Sequence, residues 1–182
     1  MKKFGIICLM PDEVRDYHQK SRLNLVYQFG LRVNINVPAH ITIKYPFEVE
    51  DTDEIEKVVQ EFCDTQVKTE WVLQGFNYFK NSDHYVVFID VVSSAETRAA
   101  HSSFLDGLKK INWMQWGKFD TADLHYHVTL ATHGLTADNF DAVWSFLDQQ
   151  EKPNFKVFFD NLAFVQIEEN SRFIYQTFRF RN

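Results

Sequence analysis

The sequence reads HITI at positions 40–43 and HVTL at positions 127–130. In a β-strand, residues two apart point to the same face, so each copy would place an imidazole beside a threonine hydroxyl. Two such pairs facing each other would surround one small anion with a proton donor, a proton acceptor and two hydroxyl donors. A single His-x-Thr motif in a strand is usually a half-buried polar edge, so the functional interpretation depends on the recurrence.

The surroundings of the two motifs repeat as well. Each motif follows a predicted strand and helix, and each precedes an apolar set at i, i+3, i+4, i+7 that predicts an amphipathic helix. Besides the motif strands, the predicted elements are strands at 4–9, 70–79, 85–92 and 155–166, and helices at 11–29, 51–62, 93–110 and 136–147. We therefore predict one domain of two lobes over residues 1–182, with internal repeats at approximately 4–80 and 84–167 and a closing strand at 172–180.

Composition indicates one compact unit. A chain of 182 residues can bury a sizeable core, and 18 Phe, 7 Tyr and 4 Trp supply large apolar side chains for it. No apolar stretch is long enough to span a bilayer, and the apolar run after Met1 is too short for a signal peptide. Cys8 and Cys63 lie in apolar patterns and are predicted to be buried thiols. We expect a cytoplasmic protein and a monomer.

Charge and glycine content exclude some functions. A net charge of −6 argues against non-specific binding of long nucleic acids, which needs a basic surface. A small nucleotide or an RNA end needs only a local basic pocket and stays possible. The six glycines fit neither a Walker A loop nor a dinucleotide-binding turn, so chemistry driven by ATP or a nicotinamide is not expected.

The motif residues resemble a known superfamily. HITIKYPF at 40–47 and HVTLA at 127–131 are similar to the two motifs of the two-histidine phosphoesterases, which include bacterial 2'-5' RNA ligase-like proteins and cyclic nucleotide phosphodiesterases. The resemblance implies an α+β fold of two duplicated lobes, with mainly antiparallel sheets flanked by helices and an active-site groove between the lobes. Many members carry a basic residue shortly after the second motif, where this chain has Thr132 followed by His133.

The resemblance implies a reaction that suits these residue types. Either His40 or His127 would deprotonate the water that attacks a 2',3'-cyclic phosphate, and the other would protonate the departing ribose oxygen. Thr42 and Thr129 would donate hydrogen bonds to the non-bridging oxygens. The scheme requires no metal and no cofactor. In reverse, on an RNA end with a cyclic phosphate, the same groups could form a 2'-5' linkage.

Four more residues are candidates for the groove. Lys44 has the strand parity of His40, so it could offset phosphate charge, although a solvated lysine at a strand end is an equal alternative. His133 could substitute for the missing basic residue, and His125 could lie at the groove edge. Tyr45 could stack on a base.

Two other functions are open. His125, His127 and His133 would share one strand face with Asp123 nearby, which suggests a zinc hydrolase. Against it, zinc would consume the repeated His127, and the first half has no matching His-x-His. The second alternative is a non-catalytic nucleotide- or RNA-binding module, although binding alone would not need two imidazoles.

The other histidines carry no prediction of function. His18 and His101 fall on predicted helices and His84 on a predicted turn. We interpret them as surface or boundary residues without partners.

Overall fold

The computed structural model describes residues 1–168 and 171–181, which form eight strands and four helices. Gly30 ends the first helix in the left-handed conformation, at φ 64°, which favours glycine. In chain order the elements are β1 (Lys2–Leu9), α1 (Asp12–Phe29), β2 (His40–Val49), α2 (Asp53–Thr65), β3 (Thr69–Lys80), β4 (Tyr85–Ser93), α3 (Ala95–Leu108), β5 (His127–Ala131), α4 (Ala137–Asp148), β6 (Asn154–Phe159), β7 (Asn161–Glu168) and β8 (Ser171–Arg179).

The strands form two four-stranded antiparallel sheets. The first sheet has the order β2-β1-β7-β8 and the second has the order β5-β4-β3-β6. This confirms the predicted α+β class with antiparallel sheets and helices. Each sheet, however, takes strands from both halves of the sequence, because β3 joins the second sheet and β7 with β8 joins the first. The spatial lobes therefore do not coincide with the sequence repeats 4–80 and 84–167.

The strand predicted at 155–166 is two strands that belong to different sheets. The chain leaves β6 at Asp160 and enters β7 at Asn161. The amide of Asn161 accepts a hydrogen bond from the Leu9 N–H at 2.9 Å and donates one to the Leu9 carbonyl at 3.0 Å. The buried Asn161 side chain thus satisfies both backbone groups of Leu9, in place of a strand partner, at the point where the chain crosses between sheets.

The motif strand β2 contains a bulge that changes which side chains share a face. Thr42 lies opposite Ile7 on β1, but Lys44 lies opposite Ile6, so Ile43 is an extra residue on β2. Ile43 and Lys44 are consecutively buried as a result. The predicted common face of Lys44 with His40 and Thr42 is therefore wrong.

The aromatic residues fill the core as predicted, and both cysteines are buried. The largest fully buried side chains include Trp71, Tyr126, Phe104 and Phe159. Among the helices in residues 1–168 and 171–181, none is long and apolar enough to cross a membrane.

Candidate active site

The two motifs lie where the two sheets adjoin. The first motif begins β2 and the second begins β5, and these strands are the neighbouring edges of their sheets. His40 and His127 are both half-buried. The charge of His127 is near enough to lower the pKa of His40. The fold therefore brings together two imidazoles that are 87 residues apart in the chain.

Both imidazoles are held in the same way by the backbone. Nδ1 of His40 donates to the carbonyl of Pro38 at 2.7 Å, and Nδ1 of His127 donates to the carbonyl of His125 at 2.8 Å. A carbonyl oxygen only accepts, so each Nδ1 carries a proton. In the neutral rings Nε2 then keeps its lone pair, and each ring is prepared for proton transfer at Nε2.

The environment of His40 disfavours its charged form. Burial lowers the pKa of His40 to about 4, and the charges of Arg172, His127 and Arg22 act in the same direction. The hydrogen bond to Pro38 opposes this shift only partly. His40 is therefore neutral in the unliganded protein at neutral pH, as a general base must be.

The environment of His127 differs because it includes a carboxylate. Burial lowers the pKa of His127, while the hydrogen bond to the His125 carbonyl and the charge of Asp90 oppose the shift. Asp90 lies opposite His127 on β4. The sequence analysis missed Asp90, whose only signal was an acidic residue in an apolar strand. The two imidazoles thus have electrostatically unequal surroundings.

The two motif threonines lie beside the imidazoles on the faces that the period of two predicts. Thr42 and Thr129 are half-buried. Thr42 lies opposite Ile7, and Thr129 lies opposite Phe88 on β4. Within residues 1–168 and 171–181, neither hydroxyl makes a side-chain hydrogen bond, so both are available to a ligand.

Lys44, predicted to bind phosphate, is instead part of a buried ion pair. Its ammonium lies 2.9 Å from Oδ2 of Asp120 and 2.7 Å from the Gln115 carbonyl, and both charged side chains are 1% exposed. The bulge in β2 points Lys44 away from the face of Thr42. Its charge therefore tethers the segment after α3 to β2 and is not free to meet a substrate.

The other three residues predicted for the groove, His125, His133 and Tyr45, each contact other parts of the protein. His125 donates to Oδ1 of Asp90 at 2.6 Å. His133 is exposed and follows the end of β5, where its carbonyl accepts from the Arg32 N–H at 3.3 Å. Tyr45 packs its ring 5.3 Å from that of Phe119. Each contact holds the residue in the protein framework, and none of them tests the predicted groove role.

The predicted zinc face is not completed. His125 and His127 both pack against the rings of Phe79 and Phe88. His133, however, follows the end of β5, beyond a register shift in that strand. Among the described residues, no group of three or more His, Cys, Asp or Glu side chains is arranged to hold a metal ion.

Two histidines that were predicted to lack partners are buried and bonded. Nε2 of His18 donates to the carbonyl of Thr129 at 2.8 Å, so α1 holds the second motif strand from behind. Nε2 of His101 donates to the carbonyl of Ile43 at 2.7 Å, at the bulge in β2. Burial lowers the pKa of each to about 4. His84 is bonded too, to Asp83 and Asn81. Sequence periodicity cannot reveal the contacts of His18 and His101 because each joins distant segments.

Comparison with known proteins agrees with the geometry. The model of the 2'-5' RNA ligase superfamily matches residues 10–171, which include both motifs. The chain belongs to this superfamily. The 2'-5' RNA ligase superfamily comprises phosphoesterases and ligases that act on phosphodiester bonds of nucleotide or RNA substrates. Membership therefore supports phosphoesterase or ligase-type activity and confirms the resemblance found in the sequence.

Solved structures share the fold of this superfamily member at low identity. Protein TT0787 of Thermus thermophilus is 16% identical, with a TM-score of 0.71 over 99% of this chain and 98% of that one. A phosphoesterase is 12% identical, with a TM-score of 0.60 over 100% and 99%. LigT of E. coli, in complex with 3'-AMP, is 8% identical, with a TM-score of 0.58 over 100% and 98%. No sequence among the curated proteins matches the chain significantly.

Proposed function

We propose that this protein hydrolyses 2',3'-cyclic phosphodiesters of nucleotides or RNA ends by acid–base catalysis with His40 and His127. The observation that carries the proposal is the pair of imidazoles at adjoining sheet edges, each held through Nδ1 by a backbone carbonyl. The complex of E. coli LigT with 3'-AMP supports a nucleotide as ligand of this fold. Reversal on a cyclic-phosphate RNA end would join a 5'-hydroxyl in a 2'-5' linkage.

We propose the roles of the two histidines from their unequal surroundings. Nε2 of His40, with positive charges around it, removes a proton from the attacking water. The new P–O bond forms as the bond to one ribose oxygen breaks, and His127, beside Asp90, gives its Nε2 proton to that oxygen. The hydroxyls of Thr42 and Thr129 donate hydrogen bonds to the non-bridging oxygens as their charge grows.

A substrate panel tests this function. We expect cleavage of 2',3'-cyclic nucleoside monophosphates and of cyclic-phosphate-ended RNA, with the product phosphate assigned to the 2' or 3' oxygen by phosphorus NMR. We expect the activity to survive EDTA, because the acid–base pair is complete without a Lewis acid. Activity that disappears with the chelator and returns with zinc would favour the zinc hydrolase. Nucleotide binding without any turnover would favour the non-catalytic module.

The role assignment predicts the pH dependence of kcat/KM. The rate should rise with pH as His40 loses its proton near pH 4, and it should fall as His127, whose pKa is also lowered by burial, loses its own proton. The apparent values belong to the pair. Asp90→Asn removes a charge that raises the pKa of His127, so the alkaline limb should move to lower pH. Asp83→Asn, at an exposed carboxylate that contacts His84, is the matched control. An alkaline limb that does not move in Asp90→Asn would refute the assignment.

A further inference from the structure

A phosphodiester is an anion, and the site described above lacks an obvious cation for it. Lys44 is neutralised by Asp120. The guanidinium of Arg22 is buried and donates through its two terminal nitrogens to the carbonyls of Val37 and Asn34. The chain also lacks the basic residue that would follow the second motif, since Thr132 occupies that place. Beyond the proton that His127 carries in the proposed mechanism, a further positive charge for the phosphate would come from another element.

Strand register places Arg172 on the face of the first sheet that carries the motif. Cross-strand partners in an antiparallel sheet point to the same face. Starting from the motif, His40 lies opposite Leu9 and Thr42 opposite Ile7, then Ile7 lies opposite Ala163. Residues 163, 165 and 167 of β7 point to one face of the sheet, because residues two apart in a strand share a face. Arg172 on β8 lies opposite residue 167. Arg172 therefore points to the same side of the sheet as His40 and Thr42, from the far strand and from the other end of β1, where Ile167 lies opposite Lys3.

This face is separate from the main core. Ile7, Ala163 and Val165, with Leu9 and Ile167 at their edges, form an aliphatic cluster of their own. We call these five residues the aliphatic floor. Arg172 lies opposite Ile167, at one end of this floor.

The guanidinium of Arg172 is available. Arg172 is exposed, and no ion pair or hydrogen bond to a described residue occupies its side chain. Its charge nevertheless reaches His40, whose pKa it lowers. Of the two arginines whose charges reach His40, Arg22 already donates to backbone carbonyls, which leaves Arg172 as the arginine with its full fork of donors.

We propose that Arg172 of β8 binds the phosphate group that His40 and His127 act on, in place of the basic residue missing after the second motif. The inference rests on the proposed function for the identity of the anion. The planar guanidinium pairs two N–H donors with two non-bridging oxygens. The closing strand thereby contributes a binding residue from the opposite end of the chain.

Binding of 3'-AMP to the unmodified protein and to Arg172→Gln tests the inference without turnover. A lost charge-assisted contact should weaken 3'-AMP binding about ten- to a hundredfold, measured by calorimetry. Adenosine, which lacks the phosphate, should bind both proteins equally. Arg172→Lys keeps the charge but not the fork and should be intermediate. Arg181→Gln removes the same charge at a guanidinium that pairs with Asp64 and should bind 3'-AMP normally.

Histidine NMR provides a second readout in the ligand-free protein. Removal of the Arg172 charge should raise the pKa of His40 in Arg172→Gln and leave it unchanged in Arg181→Gln. Normal 3'-AMP binding by Arg172→Gln, equal losses for 3'-AMP and adenosine, an unmoved His40 pKa, or no 3'-AMP binding by the unmodified protein would each overturn the inference. Arg172-dependent binding without cleavage of any cyclic phosphate would refute the proposed function and leave the inference standing.

Discussion

His40→Ala and His127→Ala should each reduce turnover of a 2',3'-cyclic phosphate by about a hundred- to ten-thousandfold. Each change removes one of the two groups that transfer a proton, an effect that is typically of this size. Initial rates at the pH optimum measure the loss, and circular dichroism with thermal unfolding establishes that the fold persists. Both side chains are only half-buried, so their truncation should leave the core intact.

His84→Ala is the matched control. His84 is a half-buried histidine in the turn between β3 and β4, with Asp83 and Asn81 as its partners. Its removal should leave turnover within about a factor of two, because it belongs to neither motif strand. A folded His40→Ala or His127→Ala protein with turnover near that of the His84→Ala protein would refute the two-histidine mechanism.

Asp120→Ala should lower the free energy of unfolding by about 3–5 kcal/mol, since it leaves the buried ammonium of Lys44 without a counter-charge. The same carboxylate accepts from the backbone N–H of Tyr45 at 2.9 Å and of Gly117 at 2.7 Å, so the change also leaves two donors unpaired. Urea unfolding measures the loss.

Asp106→Ala is the matched control, since its carboxylate pairs with Lys109 at 2.8 Å on the surface, with both side chains more than half exposed. An exposed pair contributes about 0–1 kcal/mol. A double change, Lys44→Met with Asp120→Leu, should recover only part of the stability, because no charge stays buried but the N–H groups of Tyr45 and Gly117 still lack their acceptor. Equal losses from Asp120→Ala and Asp106→Ala would show that the buried pair does not hold the segment after α3 on β2.

Predictions from the sequence were correct where they depend on residues close together in the chain. The period of two placed Thr42 and Thr129 beside the motif histidines, because alternation is a property of any extended strand. The helix predicted to open at Pro11 and to run to about Phe29 is α1, because proline suits the start of a helix.

Prediction from the sequence failed at bulges and at bonds between distant segments. Lys44 was assigned to the groove because strict alternation was assumed, and the extra residue Ile43 turns Lys44 to the opposite face. Asp90 and Arg172 were not predicted from the sequence. Only the pairing of strands places Asp90 opposite His127 and brings the charge of Arg172 near His40. His18 and His101 similarly gain their carbonyl partners from other elements.

The sequence by itself determined the repeated His-x-Thr motif, the positions of most strands and helices, and the superfamily, since each depends on residues that are close together in the chain. The tertiary structure alone decided which charges surround the two imidazoles. The physical reason is that the chain crosses between sheets at Asp160 and returns β7 and β8 to the sheet of β1. That pairing carries Arg172 to the sheet of His40, while Asp90 reaches His127 through the pairing of β4 with β5.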